Sequence, residues 1–339
     1  MEYYRSRFEE YIEGEGPIVI ANLEWPSLDV FRRMTADDFD RHLAEWAADQ
    51  RVLAKERAEI FLRDYGCLDR FNTMMARHKN NHLLPFVGAG LSIPSGYRRW
   101  GDFLASLLAD APQALINVQG CLVRNEFEEA AQHVIEAIKP DALAEEMHNQ
   151  MGSHRKNAAG PVCLLPGLFP AEVLTTNFDY VLNHVYANAG IAFANYFKGS
   201  QLRQAAQRLG NDPHCLLRLH GEADNTNDRV LTLQEYEAAY ADNDGLQSAL
   251  GNLVGARSLL FLGCSLQTDR TFAAFRAIKA AANGVAVRHY AFLPFPGEEN
   301  RHPRRANLGE AEIHPIYYPP EDHDQAIEDL LITMLEGGF

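Results

Sequence analysis

Leu83-Leu84-Pro85-Phe86-Val87-Gly88-Ala89-Gly90-Leu91-Ser92 is a compact apolar run that ends in a glycine pair. A short run that is apolar at every position reads as a strand buried on both faces. The chain then breaks at Pro94-Ser95-Gly96 before a helical pattern near Trp100 to Leu108. Helical patterns follow at about Glu126 to Ile138 and Asp141 to Met151. Beyond them, strand-like runs and helices alternate. EVLTTN (172–177) precedes a helix from Asp179 to Tyr186, and CLLRLHG (215–221) and DRVLTL (228–233) read as two more strands. SLLFLGCSL (258–266) precedes a helix from Thr271 to Ala282. RHYAFLP (288–294) and IHPIYY (313–318) are late strands, and Asp324 to Leu335 closes the chain as a helix. Alternation of this kind predicts an α/β fold, an open and mostly parallel sheet wrapped by helices.

Upstream, residues 1–80 read as a helical N-terminal extension. Thr35 followed by Asp38 has the spacing of a capping box, and Phe39, Leu43 and Trp46 recur at helical intervals. Leu53, Ile60, Phe61, Tyr65, Leu68, Phe71 and Met75 continue as one face of a long helix. This stripe either packs on the chain's own core or forms part of a self-interface. A short strand over Ile18 to Ala21 precedes these helices.

Composition narrows the class. Of 339 residues, 47% are hydrophobic and 23% charged, which is ordinary for a globular chain of about two domains and excludes a disordered one. Lys and Arg number 31 against 46 Asp and Glu, a formal charge of −15. A surface that acidic repels phosphate backbones, so direct nucleic-acid binding is not expected. The longest apolar stretch falls well short of a membrane span, and the first residues carry no apolar leader, so a cytoplasmic protein is expected. The five cysteines are scattered and never form Cys-x-x-Cys, and the 13 histidines include no HExxH. His78 and His82, at i and i+4, read as surface residues near a helix end. No metal site is expected.

In an open parallel sheet, ligands bind outside the carboxyl ends of the strands. Four segments fall there: GAGLS (88–92), TTNFD (175–179), LHG (219–221) and GCSLQTD (263–269). Gly88-Ala89-Gly90 is either a plain strand-ending turn or a close approach to a pyrophosphate. It is not a full GxGxxG, and no P-loop lysine follows. Asn177 either orients a water molecule or caps the next helix. His220 is either a packed histidine or an acid–base group. For Asp179 and Asp269, helix capping is the favoured role.

Together, in this order, the four segments resemble the sirtuin-like (silent information regulator type) family. The resemblance covers roughly residues 80–339. It implies a Rossmann-like NAD-binding catalytic domain over 81–339, with a helical insertion at about 100–165. It assigns Asn177 and His220 as catalytic residues, and Gly88, Ala89, Gly90, Ser92, Thr176, Asp179, Gly263 and Ser265 to NAD+ binding. Two departures matter. The four-cysteine zinc module of sirtuin deacylases is absent, and IPSGYRRWGDF (93–103) replaces their GIPDFR stretch. In addition, Thr176 stands where a glutamine is usual. The chain therefore looks like the zinc-free branch of bacterial antiphage defence systems. For that branch the resemblance implies hydrolysis of NAD+ to ADP-ribose and nicotinamide, a homo-oligomer, and a partner such as a HerA-type ATPase or an Argonaute. An NAD-binding sensor without turnover and a protein deacylase or ADP-ribosyl transferase are the alternatives.

Overall fold

The computed structural model describes residues 2–33, 36–193, 195–198, 214–227, 229–239, 250–251, 254, 257–267, 270–281 and 287–339. Helix α1 (Glu2–Gly14) leads to a hairpin of β1 (Ile18–Ile20) and β2 (Leu23–Trp25). Ala21 and Asn22 form its turn, both at positive φ. The expected first strand thus forms, but it pairs only within this hairpin and stays outside the main sheet. Helices α2 (Ser27–Arg32), α3 (Ala36–Asp64) and α4 (Leu68–Lys79) follow. The Thr35 cap lies outside the described residues. The single long helix expected through Met75 is instead two, because the chain turns at Gly66 with φ +58°, a conformation that favours glycine.

Much of the N-terminal stripe is absorbed by the chain's own core. Ala54, Ala58, Phe61, Leu62, Phe71, Met74 and Met75 belong to the apolar cluster that surrounds the sheet. Phe8, Ile12, Leu28, Phe39 and Leu43 form a separate small cluster, with Trp46 against it. Leu53 remains 43% exposed.

After β3 (Leu83–Val87) comes a 3₁₀ turn over Ala89–Ser95, then the insertion: α5 (Trp100–Ser106), α6 (Pro112–Val123), α7 (Phe127–Ile138) and α8 (Pro140–Met151). The sequence reading has no counterpart for α6, whose apolar and polar residues are too mixed to show a clear stripe. Helix α9 (Leu165–Leu168) precedes β4 (Glu172–Thr175), and α10 (Val181–Asn188) follows it. Next come β5 (Asn195–Lys198), β6 (Cys215–Arg218), α11 (Leu233–Ala239) and β7 (Ser258–Leu262). The chain ends with α12 (Arg270–Ala281), β8 (His289–Pro294), α13 (Glu298–Gly309), β9 (Ile313–Tyr318) and α14 (His323–Leu335).

The sheet has seven strands in the order β5-β6-β4-β3-β7-β8-β9, and every neighbouring pair is parallel. Strands β3, β4, β6 and β7 are buried at every position, which is why their sequences run apolar without alternation. The described part of DRVLTL, residues 229–233, forms no strand. Thr232 accepts the Glu235 N–H (3.1 Å), while the Glu235 carboxylate accepts the N–H groups of Leu231 (2.8 Å) and Thr232 (3.1 Å). That capping box in Thr232-Leu233-Gln234-Glu235 starts α11 where a third strand was expected. From β3 the chain turns to β4 on one side and later to β7 on the other. The crevice above β3 and β7 is therefore the topological switch point, the place where such sheets bind ligands.

Helix α14 packs along α3 and is tied by ion pairs to α3 through Arg57 and to α1 through Arg7. Arg57 donates twice to Asp329 (2.8 and 2.7 Å), and Arg7 pairs with Glu328. No helix among the described residues is long and apolar enough to cross a membrane.

His289 sets a pH dependence of stability. Its Nδ1 accepts the Leu259 N–H at 3.1 Å inside the core, and burial pushes its pKa down to about 4, with opposing smaller effects from Glu312 and His314. Folded, the ring stays neutral. Unfolded, it binds a proton near pH 6.5, so the unfolded chain holds more protons between about pH 6.5 and 4. Stability is therefore full above that window and falls through it on acidification, by up to roughly 3 kcal/mol from this group. Denaturant titrations across the window should show the slope, and His289→Asn, which keeps the acceptor, should remove this share of it. An unchanged slope in the variant would exclude the assignment.

Candidate active site

All ten residues singled out from the sequence line one cavity of about 1240 Å³: Gly88, Ala89, Gly90, Ser92, Thr176, Asn177, Asp179, His220, Gly263 and Ser265. The cavity sits over the carboxyl ends of the strands, and its size suits a ligand well above ordinary drug dimensions.

Its floor is made where two glycine loops meet. Gly88 N–H donates to the Leu262 carbonyl (2.8 Å), and Gly90 N–H to the Gly263 carbonyl (2.9 Å), so the loops after β3 and β7 are joined beyond the ends of their strands. A Cβ on Gly88 would lie 2.6 Å from the Gly263 oxygen and 2.7 Å from the Cys264 sulfur. A Cβ on Gly263, itself at φ +66°, would lie 2.4 Å from the Leu91 nitrogen. Glycine at both places is required by this contact. The result is a bare backbone surface at the cavity floor, which a phosphate group can approach closely. Arg304 of α13 supports the same floor by donating to the carbonyls of Ser265 and Leu266.

The polar wall comes from the loops after β4 and β6. Thr175 donates its hydroxyl to the Val87 carbonyl (2.8 Å) and accepts the Asn177 N–H (3.0 Å), which fixes the first turn of the loop. Asn177 is buried; its Nδ2 donates to Ser92 Oγ (3.1 Å), while its Oδ1 has no partner among the described residues. A buried acceptor left open at a cavity wall calls for a donor from a ligand or a water. Asp179 Oδ1 accepts the Val181 N–H (3.0 Å) and so caps α10, while the carboxylate also faces the cavity. Burial pushes its pKa up, against the Val181 N–H, the Arg218 charge and the Ser92 hydroxyl. His220 is half-buried at the wall, and its desolvation lowers the pKa to about 4, so the imidazole is neutral at physiological pH. The expected helix-capping Asp269 lies outside the described residues.

Several functional residues escaped the sequence reading. Arg218 is completely buried at the end of β6. It donates to the carbonyls of Asn177 (2.9 Å) and Asp179 (2.8 Å) and to Asn183 Oδ1 (2.6 Å), and its guanidinium lies 5.1 Å from the centre of the Tyr180 ring. An arginine inside an apolar strand was the available signal. Trp100, from the segment that replaces GIPDFR, lines the cavity and packs on Phe178 (5.0 Å) and Phe103 (5.4 Å). Leu122, Asn125, Phe127, Glu128 and Met151 of the insertion also line the cavity and cover it. His78 is not the surface residue expected: its Nε2 lies 3.0 Å from the Leu168 carbonyl, and its ring packs edge-on against Phe169. Among the described residues, no group of three His, Cys, Asp or Glu side chains has metal-binding geometry.

Arg218→Met should leave two buried carbonyls without donors and cost about 2–4 kcal/mol in unfolding free energy. Chemical denaturation measures this directly; a loss below about 0.5 kcal/mol would show that the brace is dispensable.

Two comparisons bear on this geometry. Residues 171–316, which include the Asn177 and His220 loops and the Gly263 turn, match the family described as SIR2-like domain. The chain is also 25% identical over 187 residues to NAD(+) hydrolase ThsA of Acinetobacter baumannii (strain 532279), covering 55% of this chain and 37% of that protein. It thus spans little more than a third of that relative's length. The glycine loop at 88–92 precedes the matched segment, yet the fold sets it against Gly263 at the floor of the same cavity. Residues 171–316 are thus similar to a SIR2-like domain, and the chain is built on a Rossmann-like parallel sheet.

Proposed function

We propose that the chain hydrolyses NAD+ at the bond between nicotinamide and ribose, releasing ADP-ribose and nicotinamide. The observation that carries this reading is the open Oδ1 of buried Asn177, which shares one large cavity with a neutral histidine and a bare glycine floor. Likeness to a protein named as an NAD(+) hydrolase supports the same reading.

The residues fit the substrate. Its diphosphate suits the close backbone at Gly88, Gly90 and Gly263. Its nicotinamide is a cationic leaving group that departs neutral with the bonding electron pair, so departure needs little acid catalysis. What the reaction does need is a held ribose, exclusion of bulk solvent, and one oriented water. Asn177 Oδ1 accepts a hydrogen bond from that water or a ribose hydroxyl. Ser92, bonded to the same amide, fixes which way the amide points. The oxocarbenium-like ribose is then attacked at C1′ by water, and neutral His220 accepts a proton from the water or from a ribose hydroxyl. The balance is NAD+ and water in, and ADP-ribose, nicotinamide and one proton out.

We infer further that such a chain acts by depleting NAD+ in bacterial antiphage defence, as a homo-oligomer in the cytoplasm with a separate partner setting its activity. Four ordered loop motifs without a zinc module support this reading. The exposed apolar side chains of Val19, Ile20 and Leu23 on the hairpin offer a surface for self-contact.

His220→Ala and Asn177→Ala should each lower nicotinamide release by at least about a hundredfold, with unfolding midpoints little changed. Full activity in both variants would remove the assignment. In the free enzyme, kcat/KM should lose activity on acidification only as pH approaches about 4, because His220 accepts a proton only while neutral. A limb near 6.5, the pKa of a solvent-exposed histidine, would show that burial does not govern this group.

A further inference from the structure

Asp224 lies four residues beyond His220 and is not among the residues lining the cavity, yet it gathers three partners from two other segments of the chain. His148 Nδ1, on α8 of the insertion, lies 2.8 Å from Asp224 Oδ1. Ser153 N–H, just past α8, donates to Oδ2 at 3.0 Å, and the Ser153 hydroxyl adds a second bond. The Tyr180 hydroxyl, from the Asn177 loop, bonds the same carboxylate. Burial would raise the Asp224 pKa, but Ser153 and His148 outweigh it, so the carboxylate stays charged.

Each donor leads to the cleft. Tyr180 presents its ring to Arg218, which grips the Asn177 carbonyl. The Ala223 N–H, beside Asp224, donates to the Phe178 carbonyl (3.0 Å), and Phe178 packs on Trp100 in the cavity. Met151, between His148 and Ser153, lines the cavity itself. Gly152 supplies an independent sign that close approach matters here. Its φ of −65° suits any residue, but a Cβ would lie 2.4 Å from the His148 carbonyl and 2.7 Å from Asp224 Oδ1. Glycine at this position serves contact and not conformation.

We propose that Asp224 is a positioning residue: it clamps the helical roof onto both loops that carry Asn177 and His220, and so sets their mutual placement for the reaction. This rests on the hydrolase reading above. A misplacement of about 1 Å at reacting groups costs up to about a hundredfold in rate, so the clamp acts on turnover more than on binding.

The test uses the full chain with NAD+. Asp224→Asn, His148→Ala and Gly152→Ala should each lower kcat about tenfold or more, with KM within about twofold. His148→Asn, whose amide nitrogen replaces Nδ1 as donor, should keep most of the activity that His148→Ala loses. Hydrogen exchange should rise in Asp224→Asn at residues 148–155, 175–181 and 219–224 together. Turnover within about twofold of the parent in both Asp224→Asn and His148→Ala would overturn the proposal, as would equal losses in the two His148 variants or unchanged exchange. A parent chain that releases no nicotinamide would overturn the hydrolase reading alone, and exchange would still decide the clamp.

Discussion

One buried guanidinium fixes the loop that carries Asn177. Arg218 ends β6 with no exposed surface, and a cation there is costly unless its donors and charge are met. The neighbouring loop meets them with the carbonyls of Asn177 and Asp179 and the face of Tyr180, and Asn183 of α10 adds its amide oxygen. The two carbonyls reach the guanidinium because that loop takes this conformation. His220 stands only two residues beyond Arg218, so the arginine lies between the two loops that carry the proposed catalytic residues. The Asp179 charge is held by the same arginine, against the desolvation that raises its pKa.

Across the switch point the constraint is steric. The loops after β3 and β7 touch backbone to backbone, so Gly88, Gly90 and Gly263 depend on one another and none can gain a side chain alone. Arg304 holds the far edge of that contact through the Ser265 and Leu266 carbonyls. The two sides thus do different work. One is a rigid backbone floor, the other a braced set of polar side chains, and the insertion encloses the space between them.

The sheet and its site were legible because both rest on local signals. Strands buried on both faces run apolar without a break, and small or polar residues such as Gly88, Asn177 and Gly263 stand out where those runs end. What escaped depends on contacts remote in sequence. Nothing near Arg218 in the chain indicates that an arginine inside a strand serves the loop of another strand. Nothing near Asp224 indicates His148, 76 residues away. Two misreadings had local remedies. Thr232-Leu233-Gln234-Glu235 is a helix start that the apolar look of DRVLTL concealed, and Gly66 was the visible break in what read as one helix. The stripe on α3 and α4 gave the helices correctly but not their partner, since only the fold brings α14 alongside α3 and pairs Asp329 with Arg57.

Burial also decides the charge state on which the proposed chemistry depends. Both the substrate's nicotinamide ring and the oxocarbenium-like ribose carry positive charge, so a protonated imidazole beside them would oppose the reaction. Desolvation removes that possibility by holding His220 neutral far below physiological pH. The cationic group the site does need, Arg218, is kept behind the loop, where its donors are taken up by carbonyls and do not point into the cavity. The carboxylates of Asp102, Glu128 and Asp179 line the cavity, as do the side chains of Arg98, Arg99 and Arg304. A neutral base and a cation sheltered behind the loop together suit a positively charged leaving group. That separation of charge follows from which groups the fold removes from water.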